Sequence, residues 1–305
     1  INGDGLLDAT TGFEEGDLTR VFLNPGPGRV GDRWPAVTVG KTPSVEDAVF
    51  IDLDRDGRLD VVSACEGGEM TMYVQWAPRP ADLLKPVAWK QEPIPASAKK
   101  TRWMFSLPFT LRDGTEVLMA GAKNPDAAVG FFRAEGAPRD LSGYVWTPLA
   151  EAGWIMSLLS VDMDGDGDQD LLFTDRKEAK RGGRCLEQPN GGPGEVWTDH
   201  AIGGVEQEVM FARLADLDGD GTDEILVAAR PSALHILTRK NALGTDWAEE
   251  IIALPGGIGG AKGIAAGDLN GDGLCDIAMT CEGADGAKVG AFWLEQRQGV
   301  PASSW

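Results

Sequence analysis

Asp216-Leu-Asp-Gly-Asp-Gly-Thr-Asp-Glu224, running without a break into Ile225-Leu-Val-Ala-Ala229, decides how the rest of the chain is read. Carboxylates at the first, third, fifth and ninth positions of such a loop can converge on one hard cation, which prefers oxygen ligands. Gly221, just after the third carboxylate, permits the sharp turn that wraps them around the ion, and Thr222 can offer its main-chain carbonyl. The expected ligands here are Asp216, Asp218, Asp220, Thr222 and Glu224.

An EF-hand would need a loop of roughly twelve residues, a bidentate Glu at its end and a helix on each side. The position for that Glu falls instead on Ser63, Phe173, Val227 and Met279, and the segments after each loop read as buried strands. The loop itself recurs as Asp52-Leu-Asp-Arg-Asp-Gly-Arg-Leu-Asp60, Asp162-Met-Asp-Gly-Asp-Gly-Asp-Gln-Asp170 and Asp268-Leu-Asn-Gly-Asp-Gly-Leu-Cys-Asp276. Its expected ligands are Asp52, Asp54, Asp56, Arg58 and Asp60; Asp162, Asp164, Asp166, Asp168 and Asp170; and Asp268, Asn270, Asp272, Leu274 and Asp276, with the seventh position acting through its carbonyl. The sequence opens inside a further copy, where Asn2, Asp4 and Asp8 align with Asp54, Asp56 and Asp60. A degenerate loop, Leu111-Arg-Asp-Gly-Thr-Glu-Val117, keeps only the Asp113-Gly114 turn, and no metal is expected there.

Units therefore begin near residues 1, 52, 109, 162, 216 and 268, a period that overrides the two-domain expectation of a 305-residue chain and points to one domain spanning 1–305. Each unit can be written as four strands, A to D, with the loop between A and B. Around the opening element these are Val209–Leu214, Glu224–Ala229, Leu234–Leu237 and Trp247–Ala253. Strand D carries its own periodic marker in Trp34, Trp89, Trp146, Trp197, Trp247 and Trp305, which read as packing between outer strands rather than as sugar-stacking platforms. Four antiparallel strands per repeat of about 50 residues predict an all-β fold, a β-propeller of six four-stranded blades, or seven if another blade lies outside this sequence. The first unit lacks strand A and the last stops at the tryptophan that should open strand D, so the sequence reads as part of a longer chain whose further domains are potential partners.

The formal charge of −20 argues against nucleic acid as a partner, although much of the acidity is concentrated in the loops. With no apolar run of about 18 residues, no membrane span is expected. Cys65 and Cys281 occupy equivalent places in different units, so the four cysteines read as free thiols rather than as a disulfide framework.

Repeated Asp-x-Asp-x-Asp-Gly-x-x-Asp loops feeding short apolar strands resemble the FG-GAP/VCBS repeats of integrin-alpha-like β-propellers. The resemblance implies a propeller stabilised by about four to five Ca2+ ions, with Asp52, Asp54, Asp56, Asp60 and their counterparts as ligands. Modules of this kind work at millimolar calcium, which implies a secreted, periplasmic or cell-surface location. It implies much less about activity, because the family includes adhesion modules, lectins and parts of large secreted sugar-active enzymes.

If strand A runs into each loop and strand B out of it, the loops share one face, and the irregular D-to-A and B-to-C connections share the other. Those connections supply Arg102, Trp103, Trp154, Arg176, Glu206, Arg230 and Lys262 as candidate ligand-binding residues for a carbohydrate or protein. No catalytic residue is assigned: His200 and His235 have no suggestive neighbours, and there is no nucleophile elbow or zinc spacing. The leading expectation is a binding or scaffolding module; the alternative is the propeller part of a secreted lyase, dehydratase or hydrolase.

Overall fold

The computed structural model describes residues 1–178, 180–191 and 194–300, so Trp305 lies outside the described residues. Two compact units, Ile1–Ala152 and Gly153–Trp305, each contain three antiparallel sheets. The first unit holds β1 (Ala9–Phe13), β2 (Leu18–Phe22) and β3 (Ala36–Lys41); β4 (Val45–Ile51), β5 (Asp60–Cys65), β6 (Met72–Trp76) and β7 (Lys90–Pro93); and β8 (Arg102–Thr110), β9 (Glu116–Lys123), β10 (Ala128–Ala134) and β11 (Tyr144–Glu151). The second holds β12 (Ile155–Val161), β13 (Asp170–Asp175), β14 (Gly182–Glu187) and β15 (Thr198–Gly203); β16 (Glu208–Ala215), β17 (Glu224–Arg230), β18 (Ala233–Arg239) and β19 (Trp247–Ala253); and β20 (Gly260–Gly267), β21 (Asp276–Glu282) and β22 (Ala291–Leu294). Every sheet is a simple meander, and helix among the described residues is confined to short 3-10 turns. Among the described residues the first and last sheets have three strands and the other four have four.

Strand position within a sheet explains composition. In the four-stranded sheets the B strand is paired on both edges, and β5 and β13 are buried along their whole length and read as continuous apolar runs. D strands lie at a sheet edge: β7, Lys-Gln-Glu-Pro, is mostly exposed, and its charges and proline protect an unpaired edge. Within each unit, strand A packs against the preceding sheet. In the first unit β4 lies against β1, and β8 against β4 and β5; in the second, β16 lies against β12 and β13, and β20 against β16 and β17. The cores are correspondingly formed between consecutive sheets, from Val62, Met72, Trp76, Leu118 and Phe132 in one case and from Leu226, Leu234, Ile264 and Ile277 in another.

A bulge interrupts each A–B pair near the start of strand A, at Val45/Asp47, Trp103/Phe105, Ile155/Ser157, Val209/Ala212 and Ala261/Gly263. The residue that opens each bulge, namely Val45, Trp103, Ile155, Val209 or Ala261, points inward and is buried. This corrects the expectation for Trp103. It is 0% exposed, its ring lies 5.2 Å from Phe132 and 4.9 Å from Trp146, and its indole N–H donates to the Ser97 carbonyl at 3.0 Å. Trp103 is a core residue and offers no face to a ligand.

The strand-D tryptophans have the packing role. Trp34, Trp89 and Trp247 donate their indole N–H to the carbonyls of Val30, Leu83 and Gly244 at 3.1, 2.9 and 2.7 Å, pinning the loop that enters each D strand. Trp197 is buried, and Trp146 lies in the Trp103 cluster. Truncating a fully buried tryptophan removes both packing and a satisfied indole, so Trp103→Ala should lower the unfolding free energy by about 3–5 kcal/mol. Urea denaturation measures this; a loss of less than about 1 kcal/mol would contradict the core assignment.

Candidate metal centres and the opposite strand ends

The acidic loops join β4 to β5, β12 to β13, β16 to β17 and β20 to β21, so the register of each A–B hairpin places them at its turn. Three loops bring their carboxylates within 4.8 Å of one another: Asp52, Asp54 and Asp56; Asp162, Asp164 and Asp170; and Asp216, Asp218 and Glu224. Backbone N–H groups orient them in a repeated pattern. Asp216 accepts from Gly219 and Gly221 at 2.7 and 3.0 Å, Asp218 from Asp220 at 3.1 Å, and Asp220 from Thr222 at 2.7 Å. Asp162, Asp164 and Asp166 accept from Gly165, Asp166 and Asp168 in the same way, as do Asp268, Asn270 and Asp272 from Gly271, Asp272 and Leu274. The fragmentary first loop repeats it, with Asn2 accepting from Asp4 and Asp4 from Leu6. The glycines at the fourth and sixth positions, such as Gly219 and Gly221 at φ +77° and +86°, supply the left-handed backbone this winding requires.

The ninth-position carboxylate has a second partner that the loop motif does not reveal. Asp170 accepts the Met163 N–H at 2.8 Å from its own loop and the Gln188 N–H at 2.7 Å from the residue after β14. Asp276 likewise takes Leu269 at 3.0 Å and Gln296 at 2.9 Å. Asp60 takes Ala77 at 2.7 Å, Glu224 takes Leu217 at 3.0 Å, and Asp8 takes Asn24 at 2.7 Å. Asp8, Asp60, Asp170 and Asp276 therefore tie the turn to the end of the third strand while retaining lone pairs for a cation. In the degenerate unit the turn closes through Leu111 N–H to Thr115 and Gly114 N–H to Leu111, both at 2.8 Å.

The electrostatics favour a positive ion. Burial pushes Asp60 up to about 7 and Asp170 up to about 6, neighbouring loop carboxylates add to the rise, and bonds from backbone N–H groups oppose it. Glu224 is raised by burial and by Asp218, Asp220 and Asp216. Clustered, partly desolvated carboxylates with hard oxygen donors fit a divalent cation of the calcium class.

At the other end of the same hairpins, the first unit gathers Glu14, Glu46 and Glu66, with carboxylate atoms within 4.8 Å of one another. The cation there comes from the chain: the buried Lys123 ammonium pairs with Glu66 and lies 3.6 Å from Glu46. Burial and Glu66 push Glu46 up to about 7. Arg102 is exposed at the start of β8.

In the second unit, Glu208, Arg230, Ile258, Gly259, Glu282 and Lys288 line an open groove of about 660 Å³. Arg176 lies 3.0 Å from Glu208 and 4.5 Å above the Trp154 ring, and Lys177 shares both neighbours at 3.6 and 5.5 Å. Arg230 and Lys262 both pair with Glu282, the latter at 3.2 Å. Of the candidates read from sequence, Trp154, Arg176, Arg230 and Lys262 are thus drawn together around two glutamates, while Glu206 is exposed nearby on the β15–β16 connection. Lys288 is an addition on the β21–β22 connection, without a signal in the repeat pattern. The histidines lie elsewhere: His200 contacts Glu187 at 2.7 Å, and buried His235 contacts Glu249 at 2.6 Å.

Residues 1–63 and 216–279 match the family model of the FG-GAP-like repeat, and the chain carries FG-GAP-like repeats. No curated protein matches the chain.

The double role of the ninth position separates metal from fold. Asp164→Asn should change stability only when calcium is present, whereas Asp170→Ala, which strands two backbone N–H groups, should cost about 1–3 kcal/mol in chelator as well. Thermal melts of both variants with calcium and with chelator check this. The pH dependence has a defined sign. Because folding raises the Asp60 and Asp170 pKa values, metal-free stability from these groups rises as pH falls from 8 towards 5. A bound cation favours the ionised form, so the trend should reverse in calcium. Tm against pH in the two buffers reads both slopes.

Proposed function

We propose that the chain is a calcium-stabilised β-propeller, one domain over 1–305 with six blades or a seventh beyond this sequence, that serves outside the cell as a binding or scaffolding module. The observation that carries this reading is the repetition of one acidic turn at the same point of successive hairpins, with its carboxylates already converged. Calcium bound at these turns would supply charge neutralisation to Asp52, Asp162, Asp216, Asp268 and the acidic residues that follow each of them. An ion that binds only the folded loop contributes about 2.7 kcal/mol per site at a hundredfold excess over its Kd. Repeats of this type, together with a calcium demand met at extracellular concentrations, favour a secreted, periplasmic or surface location. No helix of the described residues is long and apolar enough to cross a membrane.

The strand ends opposite the turns are the proposed ligand surface. In a chain of net charge −20, the groove region brings Arg176, Lys177, Arg230, Lys262 and Lys288 together around Glu208 and Glu282. Gly260 and Gly283 leave backbone accessible between them. Local positive charge, hydrogen-bonding forks and open glycine backbone suit an acidic saccharide, with an acidic protein segment as the other class of ligand.

A calcium-replete glycan array, repeated in chelator and at raised salt, tests the surface. Binding of acidic oligosaccharides that weakens with salt and falls about tenfold or more in a Lys262→Ala/Lys288→Ala variant is the expected result. A blank array with calcium-dependent melting intact would move the ligand to the protein class, and turnover of a bound glycan would replace the binding reading with an enzymatic one. Chelation should lower Tm by several degrees; an unchanged melting curve would remove calcium from the reading.

A further inference from the structure

Loop 52–60 departs from its counterparts in where its positive charge comes from. Arg139, on the connection between β10 and β11, places a guanidinium nitrogen 2.5 Å from Asp54, a carboxylate only 8% exposed. Arg58 pairs with Asp56 from within the loop, and Arg55, at φ +60°, lies 3.4 Å from Glu116 in the degenerate turn of the next sheet. Loops 216–224 and 268–276 contain no basic residue. Among the described residues, Asp216, Asp218, Asp220, Asp268 and Asp272 enter no ion pair.

Arg139 is held in position independently of Asp54. Its guanidinium stacks 3.8 Å from the ring of Trp76, which is itself fixed by donating its indole N–H to Glu92 at 3.0 Å. The backbone on either side is tied down by the Tyr144 hydroxyl donating to the Pro138 carbonyl at 2.9 Å and by the Ser142 N–H donating to Asp140 at 3.0 Å. A planar fork pre-organised over an aromatic face loses little freedom when it meets a carboxylate. An incoming ion would have to displace Arg139 from Asp54 and Arg58 from Asp56 before it could use the oxygens they hold.

We infer that loop 52–60 is closed by the chain's own guanidinium, with Arg139 acting as a fixed cation that joins the second and third sheets of the first unit. This loop therefore folds without metal and takes calcium more weakly than loops 216–224 and 268–276. The unit that lost its own acidic loop, β8 to β11, thus supplies the charge that makes its neighbour's loop metal-independent. The inference rests on the calcium reading of the other loops.

Hydrogen–deuterium exchange of the intact chain, with calcium and with chelator, separates the two ideas because it reports each hairpin separately. Chelation should speed exchange by about tenfold or more in peptides covering 209–230 and 264–282, and by less than about twofold in 45–65. Equal responses in all three regions would overturn the inference while leaving the calcium reading intact; no response anywhere would overturn both. In Arg139→Gln, which removes the charge and roughly keeps the side chain's length, peptide 45–65 should become calcium-responsive and the loop's calcium affinity should rise by about tenfold or more. A variant that folds, exchanges normally and still ignores calcium in this loop would show that Arg139 is not the cause. Should the variant fail to fold, the exchange map of the unsubstituted chain still decides the matter.

Discussion

A buried carboxylate that accepts two backbone N–H groups, one from its own turn and one from just beyond the third strand, is the constraint on which the sheets of Asp170 and Asp276 depend. Asp170 and Asp276 show both bonds. Removing such a group from water is costly unless its lone pairs are satisfied, and charge-assisted bonds from backbone amides are the stronger kind. The arrangement satisfies the carboxylate and in return fixes the spacing between the A–B turn and strand C. It also puts the buried carboxylate beside other loop carboxylates, as at Asp162, Asp164 and Asp170.

That logic explains which features were legible in the sequence. The loops were, because a tight turn that converges carboxylates demands acidic residues and glycine at set positions. Strands B and D were too: β17 and β19 fall within a residue or so of the expected Glu224–Ala229 and Trp247–Ala253, since a doubly covered strand must be apolar and an edge strand must not. Strand A was legible in its bounds, β16 spanning Glu208–Ala215 against the expected Val209–Leu214, but not in the facing of its first residues. One extra residue at each bulge reverses which side chains face inward, and no composition signal marks it. Trp103 was consequently read as a surface aromatic although it aligns with buried Val45, Ile155, Val209 and Ala261.

The charge partners were illegible for a different reason. Arg139 and Asp54 are separated by 85 residues, and Lys123 meets Glu46 and Glu66 only because the second and third sheets pack face to face. Repeat arithmetic aligns equivalent positions, whereas these contacts join non-equivalent positions of neighbouring units. They can be recognised only after the register is known. The same holds for the clustering of Arg176 with Trp154 and Glu208, and of Arg230 with Lys262 and Glu282.

Register also links the two ends of the fold. In β16 and β17, Ala215 pairs with Glu224 at the acidic turn and Glu208 with Arg230 at the groove. In β20 and β21, Gly267 pairs with Asp276 and Gly260 with Glu282. At about 3.3 Å per residue, the eight residues of β16 separate turn and groove by roughly 25 Å. A one-residue slip along either hairpin would carry Arg230 or Glu282 to the opposite face of its sheet. Whatever fixes the turn, whether a metal ion or a guanidinium, therefore sets the pairing that brings Arg230, Glu282 and Glu208 to one place. Control of the groove from the turn requires no contact between the two and no conformational relay, only two strands that cannot slide.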